Sequence, residues 1–421
     1  MSPVNHSDRW LSIVGIGEDG MAGLSPLAAA VVDSAELLVG GARHLAMVPD
    51  GTAERLTERL TWPSPLTDAI GPIKAARGRR VVVLASGDPF LWGVGVTLAR
   101  FIPPEEIACH PAPSSFSLAA ARLGWAQQDC ALISLHGRPF ETLEPHVQPD
   151  ARILALTWDG RTAAKAAARL TELGFGLSRL TVLERMGGSG ERIRSARADA
   201  FDLDEIDPLN ILAIEVVAGP DARPLPLASG LPDAFFEHDG QLTKREIRAV
   251  TLSALAPLKG QLLWDIGLGA GSVAIEWLLR HPSNRAIGIE ENGDRAARAL
   301  VNAVNLGVPH LRLVTGAAPA ALAGLDRPDA IFIGGGTGDD GVFEAAWAAL
   351  RPGGRLVANA VTLESEQALA RRFARHGGDL IRLGVERLVP VGNMHGWRPA
   401  MPVTQWSVVK PVNVEPGSPR Q

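Results

Sequence analysis

The chain has 421 residues, of which 46% are hydrophobic, and a formal net charge of −5. Its length exceeds one ordinary domain of about 100–200 residues, and its negative charge excludes bulk electrostatic binding to nucleic acid or to an anionic membrane surface. No stretch approaches the roughly 18 apolar residues of a membrane span. The first residues lack a basic segment followed by a long apolar run, so we expect a cytoplasmic protein without a signal peptide.

The first half alternates predicted strands and helices, which is the pattern of an α/β domain. The apolar run 10–16 predicts a central parallel strand that leads into a glycine-rich turn. A helix over 24–35 follows, with Ser25 as its cap and Pro26 in its first turn. Further strands are expected at 37–41, 79–84, 131–135, 152–156, 180–183 and 211–217, a short strand and turn at 109–115, and further helices at 116–124 and 163–173.

A proline- and glycine-rich segment at 218–232 separates this region from a second periodic one, and such segments are typical of domain boundaries. We therefore predict a first domain at 9–217, a linker at 218–236, a second domain at 237–410 and a flexible tail at 411–421. In the second domain, strands are expected at 262–266, 285–289, 311–315, 329–333, 355–360, 380–388 and 406–410. Helices are expected at 243–256, 272–280, 294–306, 342–350 and 364–377.

The most informative stretch of the second domain is LLWDIGLGAGSVAIE, residues 262–276. A buried strand, spaced glycines and a helix start are typical of a nucleotide-binding βαβ unit. Glu290 ends the next strand, where a carboxylate can accept hydrogen bonds from both ribose hydroxyls of a nucleotide. The acid Asp265 would repel a pyrophosphate but suits the cationic S-adenosylmethionine (SAM). The pattern favours SAM over a dinucleotide or a purely structural turn, with Gly267, Gly269 and Gly271 as cofactor-binding residues.

Other candidates lie near the carboxyl ends of the predicted strands, where open α/β sheets bind ligands. Ala317 begins a small-residue path for an adenine, and the loop 334–341 is either a mobile substrate lid or a plain turn. Asn359 is either a substrate contact or a cap. Residues 332–335 do not match the Asn/Asp-Pro-Pro-aromatic stretch of nucleic-acid amino methylation.

The segment that begins with Thr243 has two interpretations. Thr243 and Glu246 fit a helix capping box. Lys244 and Arg248 are equally suited to a polycarboxylate substrate beside the cofactor, which makes both candidate catalytic residues.

In the first domain, Gly15 and Gly17 stand at the end of the first strand, and Gly87, Asp88 and Pro89 form a sharp turn after another. Ser114 and Ser115 open a helix whose free N–H groups suit an anionic or carbonyl ligand, although simple capping explains them equally well. Asp88 and His136 are candidate catalytic residues at the same predicted sheet edge. Cys109 and Cys130 are expected to be free buried thiols, and no Cys/His cluster predicts a metal site.

Several motifs together resemble known families. VGIGEDG, LLVGGARHL, LASGDPFLWGVG, APSSFSLAAARLGW and ISLHGR resemble the tetrapyrrole methylase family, although Glu18 and Asp19 stand where that family usually has a proline after the second glycine. LTKREIRAV, LWDIGLGAGSVAIEW, IFIGGG and GGRLVANAVTLE resemble a Rossmann-like methyltransferase that also decarboxylates. The resemblance covers residues 9–410, and the fusion resembles the bifunctional, decarboxylating precorrin-6Y methyltransferase family of cobalamin biosynthesis.

The resemblance implies SAM-dependent methylation of a precorrin-6 macrocycle at carbons 5 and 15 and decarboxylation of the ring C acetate, giving precorrin-8. It assigns carbon 5 to the first domain and both other changes to the second. The implied SAM loops are Gly15, Gly17, Gly87, Asp88, Pro89, Ser114 and Ser115 in the first domain, and Thr243, Asp265, Gly267, Gly269, Gly271, Glu290 and Ala317 in the second. The implied partner is a polycarboxylate tetrapyrrole, and a homo-oligomer is expected. A methyltransferase acting on RNA or protein, and a non-catalytic SAM sensor, are the alternatives.

Overall fold

The computed structural model describes residues 9–50 and 57–412, and the chain divides into two compact units. The N-terminal unit runs to Arg138 and again over His146–Pro224, and the C-terminal unit holds Pro139–Pro145 and the chain from Leu225 onward. The predicted α/β class and the two-domain organisation are confirmed.

The first sheet of the N-terminal unit is fully parallel, with strand order β3-β2-β4-β1-β5. Its strands are β1 (Leu11–Ile16), β2 (Leu37–Gly40), β3 (Glu58–Thr61), β4 (Val81–Ser86) and β5 (Ile107–His110). The accompanying helices are α1 (Pro26–Asp33), α2 (Ala42–Ala46), α3 (Ile70–Ala75), α4 (Val94–Leu98) and α5 (Ser115–Leu123). Apolar clusters cover both faces of this sheet, which explains why β1 and β4 are almost continuously apolar.

The second sheet of the N-terminal unit is mixed, with strand order β6-β7-β10-β8-β9. Its strands are β6 (Cys130–Ser134), β7 (Arg152–Leu156), β8 (Arg179–Glu184), β9 (Arg192–Arg197) and β10 (Asn210–Glu215), and α6 (Thr162–Glu172) follows β7. The strand β10 runs antiparallel to both β7 and β8, while β6 is parallel to β7. The carboxyl ends of β6, β7 and β8 therefore share one edge.

The C-terminal unit has a seven-stranded sheet of order β13-β12-β11-β14-β15-β19-β16, and only β19 runs antiparallel to its neighbours. Its strands are β11 (Leu262–Ile266), β12 (Arg285–Glu290), β13 (Arg312–Thr315), β14 (Ala330–Ile333), β15 (Arg355–Ala360), β16 (Asp379–Leu383) and β19 (Val403–Val409). Helices α7 (Arg245–Leu255), α8 (Ser272–Leu279), α9 (Gly293–Asn305), α10 (Asp340–Ala349) and α11 (Leu363–His376) lie between them. A separate hairpin pairs β17 (Glu386–Val391) with β18 (Met394–Pro399).

The predicted single strand at 380–388 is wrong. The chain leaves the sheet after Leu383 and begins β17 at Glu386, because Gly384 and Val385 break the run between two partners. Several short elements were not predicted from the sequence: the strands β3 and β9, the hairpin strand β18 and the helices α2, α3 and α4. Most of the other predicted elements match observed ones to within a few residues at each end, and Ser25 caps α1 by accepting a hydrogen bond from the Ala28 N–H.

The second half of the predicted linker is part of the C-terminal unit. Leu225, Leu231 and Phe236 belong to its apolar core. The buried Glu276 carboxylate accepts hydrogen bonds from the backbone N–H groups of Gly230, at 2.7 Å, and Leu231, at 2.8 Å. Most of the predicted tail, from residue 413 onward, lies outside the described residues.

The described helices include none with the length and apolarity needed to cross a lipid bilayer.

Candidate functional site

The glycine-rich turn after β11 has the backbone geometry that requires glycine. Gly267, Gly269 and Gly271 have φ angles of 76°, 56° and 79°, which lie in the left-handed region that side chains disfavour. A Cβ on Gly267 would lie 2.6 Å from the Gly335 nitrogen, and one on Gly271 would lie 3.1 Å from the Ala299 Cβ. The backbone at Gly267 therefore lies directly against the loop after β14.

Asp265 is a buried carboxylate at the end of β11. Its Oδ2 accepts a hydrogen bond from the Ala274 N–H at 3.0 Å, while its buried Oδ1 has no hydrogen-bond partner among the described residues. Burial raises the pKa of Asp265 well above its usual range, and the nearby Glu290 charge raises it further. An acceptor left in this state is costly and fits a site that awaits a cationic or donor group.

The raised pKa of Asp265 predicts a specific pH dependence of stability. Because the folded-state pKa lies above the unfolded value of about 3.9, the neutral acid favours folding at low pH, and that contribution is lost as pH rises through the folded pKa. Asp265→Asn has no such loss. The free energy of unfolding of the ligand-free parent should therefore fall, relative to that of the variant, as pH increases. Hydrogen exchange of β11 amides at several pH values measures this difference. A constant difference from acid to neutral pH would contradict the prediction.

Glu290 holds the same turn from the end of β12. Its Oε2 accepts a hydrogen bond from the Gly269 N–H at 2.8 Å and its Oε1 accepts one from the Asn292 N–H at 3.0 Å. The side chain is buried, and the Gly316 N–H donates to its backbone carbonyl at 2.9 Å. Glu290 therefore links the glycine turn to the loop that carries Ala317, which is itself exposed.

The structure corrects the interpretation of 243–248. Helix α7 begins at Arg245 with Lys244 in the cap position and no side-chain cap, so the predicted Thr243 cap is wrong. Arg248 is 0% exposed and donates to Glu276 Oε1 at 2.6 Å, to Asp233 Oδ1 at 3.3 Å, and to the backbone carbonyls of Thr243 and Leu231. A fully buried guanidinium with these partners cannot contact a substrate, so Arg248 is a structural residue. Lys244 stays exposed.

Asn359 has an internal role as well. Its Nδ2 donates to the Thr251 hydroxyl at 3.1 Å and its Oδ1 accepts from Gln405 Nε2 at 2.9 Å. Its backbone carbonyl accepts from the Thr337 hydroxyl at 3.0 Å, which anchors the loop 334–341. The buried Arg372 also donates to the Thr337 carbonyl, at 2.6 Å. These contacts favour a fixed loop over a mobile lid and direct the Asn359 side chain away from a ligand.

In the N-terminal unit, three predicted loops meet at the carboxyl edge of the first sheet. A Cβ on Gly15 would lie 1.9 Å from the Gly87 carbonyl oxygen and 2.6 Å from the Ala112 nitrogen. Gly87 has a φ of 55°, and a Cβ there would lie 3.1 Å from the Ser114 Cα. The glycines therefore permit the close approach of the turns after β1, β4 and β5.

The remaining N-terminal candidates lie around this junction or on the second sheet. Asp88 Oδ1 accepts the Phe90 N–H at 2.8 Å in a tight turn, and Pro89 is buried beside it. Ser114 caps α5 through the Ser117 N–H, at 3.1 Å, while Ser115 is exposed. Gly17 lies in the turn after β1. His136 belongs to the edge of the second sheet, where its ring stacks on Trp158.

His44 also lies at this edge and was not singled out from the sequence. Its Nε2 accepts a hydrogen bond from Arg43 at 2.9 Å, because a guanidinium only donates, so Nδ1 carries the proton of the neutral ring. Burial, and then the Arg43 charge, lowers the pKa of His44 to about 4. The Ser86 hydroxyl lies 3.0 Å from Nε2, which places a neutral imidazole next to Gly87. The ARH sequence after β2 was the available signal.

Two family models match the two units. The family of tetrapyrrole (corrin/porphyrin) methylases matches residues 11–202, and the precorrin methyltransferase domain matches residues 234–410. Precorrin-6Y C(5,15)-methyltransferase [decarboxylating] of Sinorhizobium sp is 57% identical over 402 residues, which are 95% of this chain and 96% of that protein. The protein of the same name from Mycobacterium tuberculosis (strain CDC 1551 / Oshkosh) is 41% identical over 403 residues, 94% of this chain and 99% of that protein.

A solved structure, the C-terminal domain of precorrin-6Y C5,15-methyltransferase from Rhodobacter capsulatus, is 48% identical. It covers 44% of this chain and 100% of its own, with a TM-score of 0.42.

The fold, the glycine turns and the two family matches together identify this chain as a SAM-dependent methyltransferase with two different methylase domains. The chain belongs to the precorrin-6Y C(5,15)-methyltransferase (decarboxylating) family.

Proposed function

We propose that this chain methylates a precorrin-6 type macrocycle at carbons 5 and 15 and decarboxylates its ring C acetate, giving precorrin-8 in cobalamin biosynthesis. The N-terminal unit carries the carbon 5 reaction, and the C-terminal unit carries the carbon 15 reaction and the decarboxylation. The observation that supports this division most is the presence of a separate glycine-lined sheet edge in each unit, since each methyl transfer needs its own cofactor and substrate geometry. Family membership favours this activity over methylation of RNA or protein.

The residues of the C-terminal unit fit SAM. The Asp265 Oδ1 has no hydrogen-bond partner among the described residues and suits the cationic part of the cofactor, and the positive-φ glycines give the tight backbone turn beside it. Glu290 would accept hydrogen bonds from ribose hydroxyls, and the chain around Thr243 and Ala317 would border the cofactor. In the N-terminal unit, the junction of Gly15, Gly17, Gly87, Asp88, Pro89, Ser114 and Ser115 would hold the second SAM.

When bound, SAM supplies an electrophilic methyl group to an electron-rich macrocycle carbon. The chain then has to hold that carbon in line with the methyl group at about 3–3.5 Å and keep water out. Sites lined by backbone and glycine, with few free bases, are suited to this positioning. Asp88 and His136 remain candidate catalytic residues of the N-terminal unit, and Lys244 of the C-terminal unit.

Decarboxylation breaks the bond between the acetate CH₂ and its carboxylate. The electron pair released enters the conjugated ring, and a proton then completes the new methyl group. Withdrawal of the carboxylate from water destabilises its ground state. Lys244 is an exposed cation next to the site turn and Arg398 is an exposed cation on the hairpin; both are candidates to pair with other carboxylates of the substrate.

Incubation of the purified protein with reduced precorrin-6 and labelled SAM tests the proposal by mass spectrometry. We expect a gain of two methyl groups and the loss of one carbon dioxide. An unchanged macrocycle together with methylated RNA or protein would overturn it, and SAM binding without turnover would indicate a sensor. Gly269→Arg should lose the carbon 15 methyl group and retain the carbon 5 methyl group. Full activity of that variant would show that the C-terminal site lies elsewhere.

We also propose that the chain forms a homo-oligomer through the β17–β18 hairpin. Leu388, Val391, Met394 and Trp397 are 55%, 58%, 73% and 68% exposed there, and a two-stranded hairpin alone is marginally stable in water. Trp397→Glu together with Met394→Glu should lower the mass measured by light scattering to that of a smaller species, while Phe101→Glu on the N-terminal unit should not. An unchanged mass in the double variant would contradict this proposal. The cytoplasm stays the expected location.

A further inference from the structure

Three side chains follow the strands that end together at one edge of the second sheet. His136 comes after β6, Trp158 after β7 and Arg185 after β8, and these strands point the same way because β10 runs antiparallel to both β7 and β8. Trp158 and Arg185 have no part in the cofactor loops described above. The strands β7 and β8 are separated by β10, which places their ends about 10 Å apart.

Arg185 is held in an unusual backbone conformation. It directly follows β8 with a φ of 46°, a left-handed value that costs energy for any residue with a Cβ and clusters at functional sites. Its N–H donates to the Leu209 carbonyl at 2.9 Å, and its guanidinium lies 3.3 Å from both Glu18 Oε2 and Asp207 Oδ2. The side chain is nevertheless 48% exposed, so part of its fork of donors faces solvent.

Glu18 joins Arg185 to the first sheet. Glu18 follows β1, and its side chain is 7% exposed. Its carboxylate forms salt bridges with both Arg185 and Arg43. A Cβ on Gly188 would lie 2.8 Å from the Glu18 Cβ, so the loop after β8 lies directly on Glu18. Burial lowers the pKa of Arg43, and the Arg185 charge lowers it further. Two arginines from the two sheets therefore converge on one carboxylate of the protein, beside the edge that carries the cofactor loops.

Trp158 presents a flat apolar surface at the same edge. Trp158 is 59% exposed. The His136 ring stacks against its indole, with ring centroids 5.5 Å apart and planes 28° from parallel. Its N–H lies 3.3 Å from the Thr162 hydroxyl oxygen, which fixes the backbone. A large exposed indole with a fixed backbone and an aromatic neighbour is suited to a flat conjugated ring.

We propose that Trp158 and Arg185 form the macrocycle subsite of the N-terminal unit. Trp158, supported by His136, lies against the conjugated ring, and Arg185 pairs with a peripheral carboxylate. Glu18 and Asp207 are the internal carboxylates that balance the charges of Arg185 and Arg43 when no substrate carboxylate is present. Trp158 and Arg185 follow strands whose ends lie about two strand spacings apart, a separation that suits a ring with carboxylates on its rim. This inference rests on the proposed carbon 5 methylation by the N-terminal unit.

Kinetics of the full-length protein with reduced precorrin-6 test the subsite, with carbon 5 and carbon 15 methylation counted separately in the product. Trp158→Ala and Arg185→Gln should each raise KM for carbon 5 methylation about tenfold and change kcat by less than about twofold. Carbon 15 kinetics of the same molecules should not change, which limits the effect to the N-terminal unit, and the retained kcat for carbon 5 methylation shows that this unit is folded. Trp158→Phe should retain most of the affinity, and Arg185→Lys should recover only part because it lacks the planar fork.

Two variants serve as matched controls. Phe101 lies away from this edge and Arg161 points into solvent, so Phe101→Ala and Arg161→Gln should leave both reactions unchanged. Uroporphyrin III, an octacarboxylate ring, should inhibit carbon 5 methylation by the parent protein competitively and should inhibit the Trp158→Ala and Arg185→Gln variants more weakly. If the parent methylates carbon 5 and both variants keep its KM and its inhibition, the subsite is wrong. If the parent never methylates carbon 5, the proposed function of the N-terminal unit fails first, and the subsite with it.

Discussion

Replacement of Arg248 by methionine should lower the free energy of unfolding of the C-terminal unit by about 3–5 kcal/mol. Arg248 and Glu276 are each 0% exposed, so the variant leaves a buried carboxylate without its guanidinium partner. The same change removes donors from the Thr243 and Leu231 carbonyls. It also removes the contact in which the guanidinium carbon lies 4.8 Å from the Phe236 ring centroid. Hydrogen exchange of amides in β11 measures the loss within the C-terminal unit.

Two further variants test the cause of this loss. The double variant Arg248→Met with Glu276→Gln removes the uncompensated charge while retaining an acceptor for Gly230 or Leu231, so it should recover a large part of the stability. Arg295→Met removes a partly exposed partner of Asp239 and should cost far less, because solvent screens such a pair. A loss in Arg248→Met as small as that of Arg295→Met would refute the structural role assigned to Arg248.

Glu290→Gln should weaken SAM binding at the proposed C-terminal site. A glutamine can accept only one of the two backbone N–H groups that Glu290 now holds, those of Gly269 and Asn292, and it loses the charge that would favour ribose hydroxyls. Hydrogen bonds to charged groups contribute about 1.5–3 kcal/mol each, so we expect the dissociation constant of that site to rise about 10- to 100-fold. Isothermal titration calorimetry gives both the number of sites and their affinities.

The neighbouring exposed Glu291 provides the control, because Glu291→Gln changes the same charge next to the turn. That variant should bind SAM like the parent. Glu290→Gln should lose carbon 15 methylation while it retains carbon 5 methylation. Two unaltered SAM sites in Glu290→Gln would show that the carboxylate is only a structural support of the Gly269 turn.

The backbone geometry of the two glycine turns was predictable because its causes are local. Spaced glycines after an apolar strand indicate a tight turn whose backbone conformation side chains disfavour. Asp265 and Glu290 lie at the ends of neighbouring parallel strands, which brings them close together. The same logic located Gly15 and Gly87, whose contact depends on three strands ending at one edge.

The errors arise where a residue's role depends on distant partners. Arg248 has the sequence context of an exposed helix start, and only the fold shows that Glu276 and Asp233 enclose it. Asn359 stands at a strand end like a ligand, yet Thr251 and Gln405 satisfy its amide from other elements. The run 380–388 was predicted as one strand, but its second part pairs with β18 instead of β19. The sequence period alone does not show this change of pairing partner.

The hydrogen bonds from Gly230 and Leu231 to Glu276 define where the two halves of the chain can be separated. A fragment that began at 237, after the predicted linker, would leave the Glu276 carboxylate without two of its donors and expose the core surface that Leu225, Leu231 and Phe236 cover. A fragment that begins at or before Leu225 retains them. The part of the proline-rich stretch that begins at Leu225 is thus the first structural segment of the C-terminal unit, and an expressed C-terminal fragment should include it.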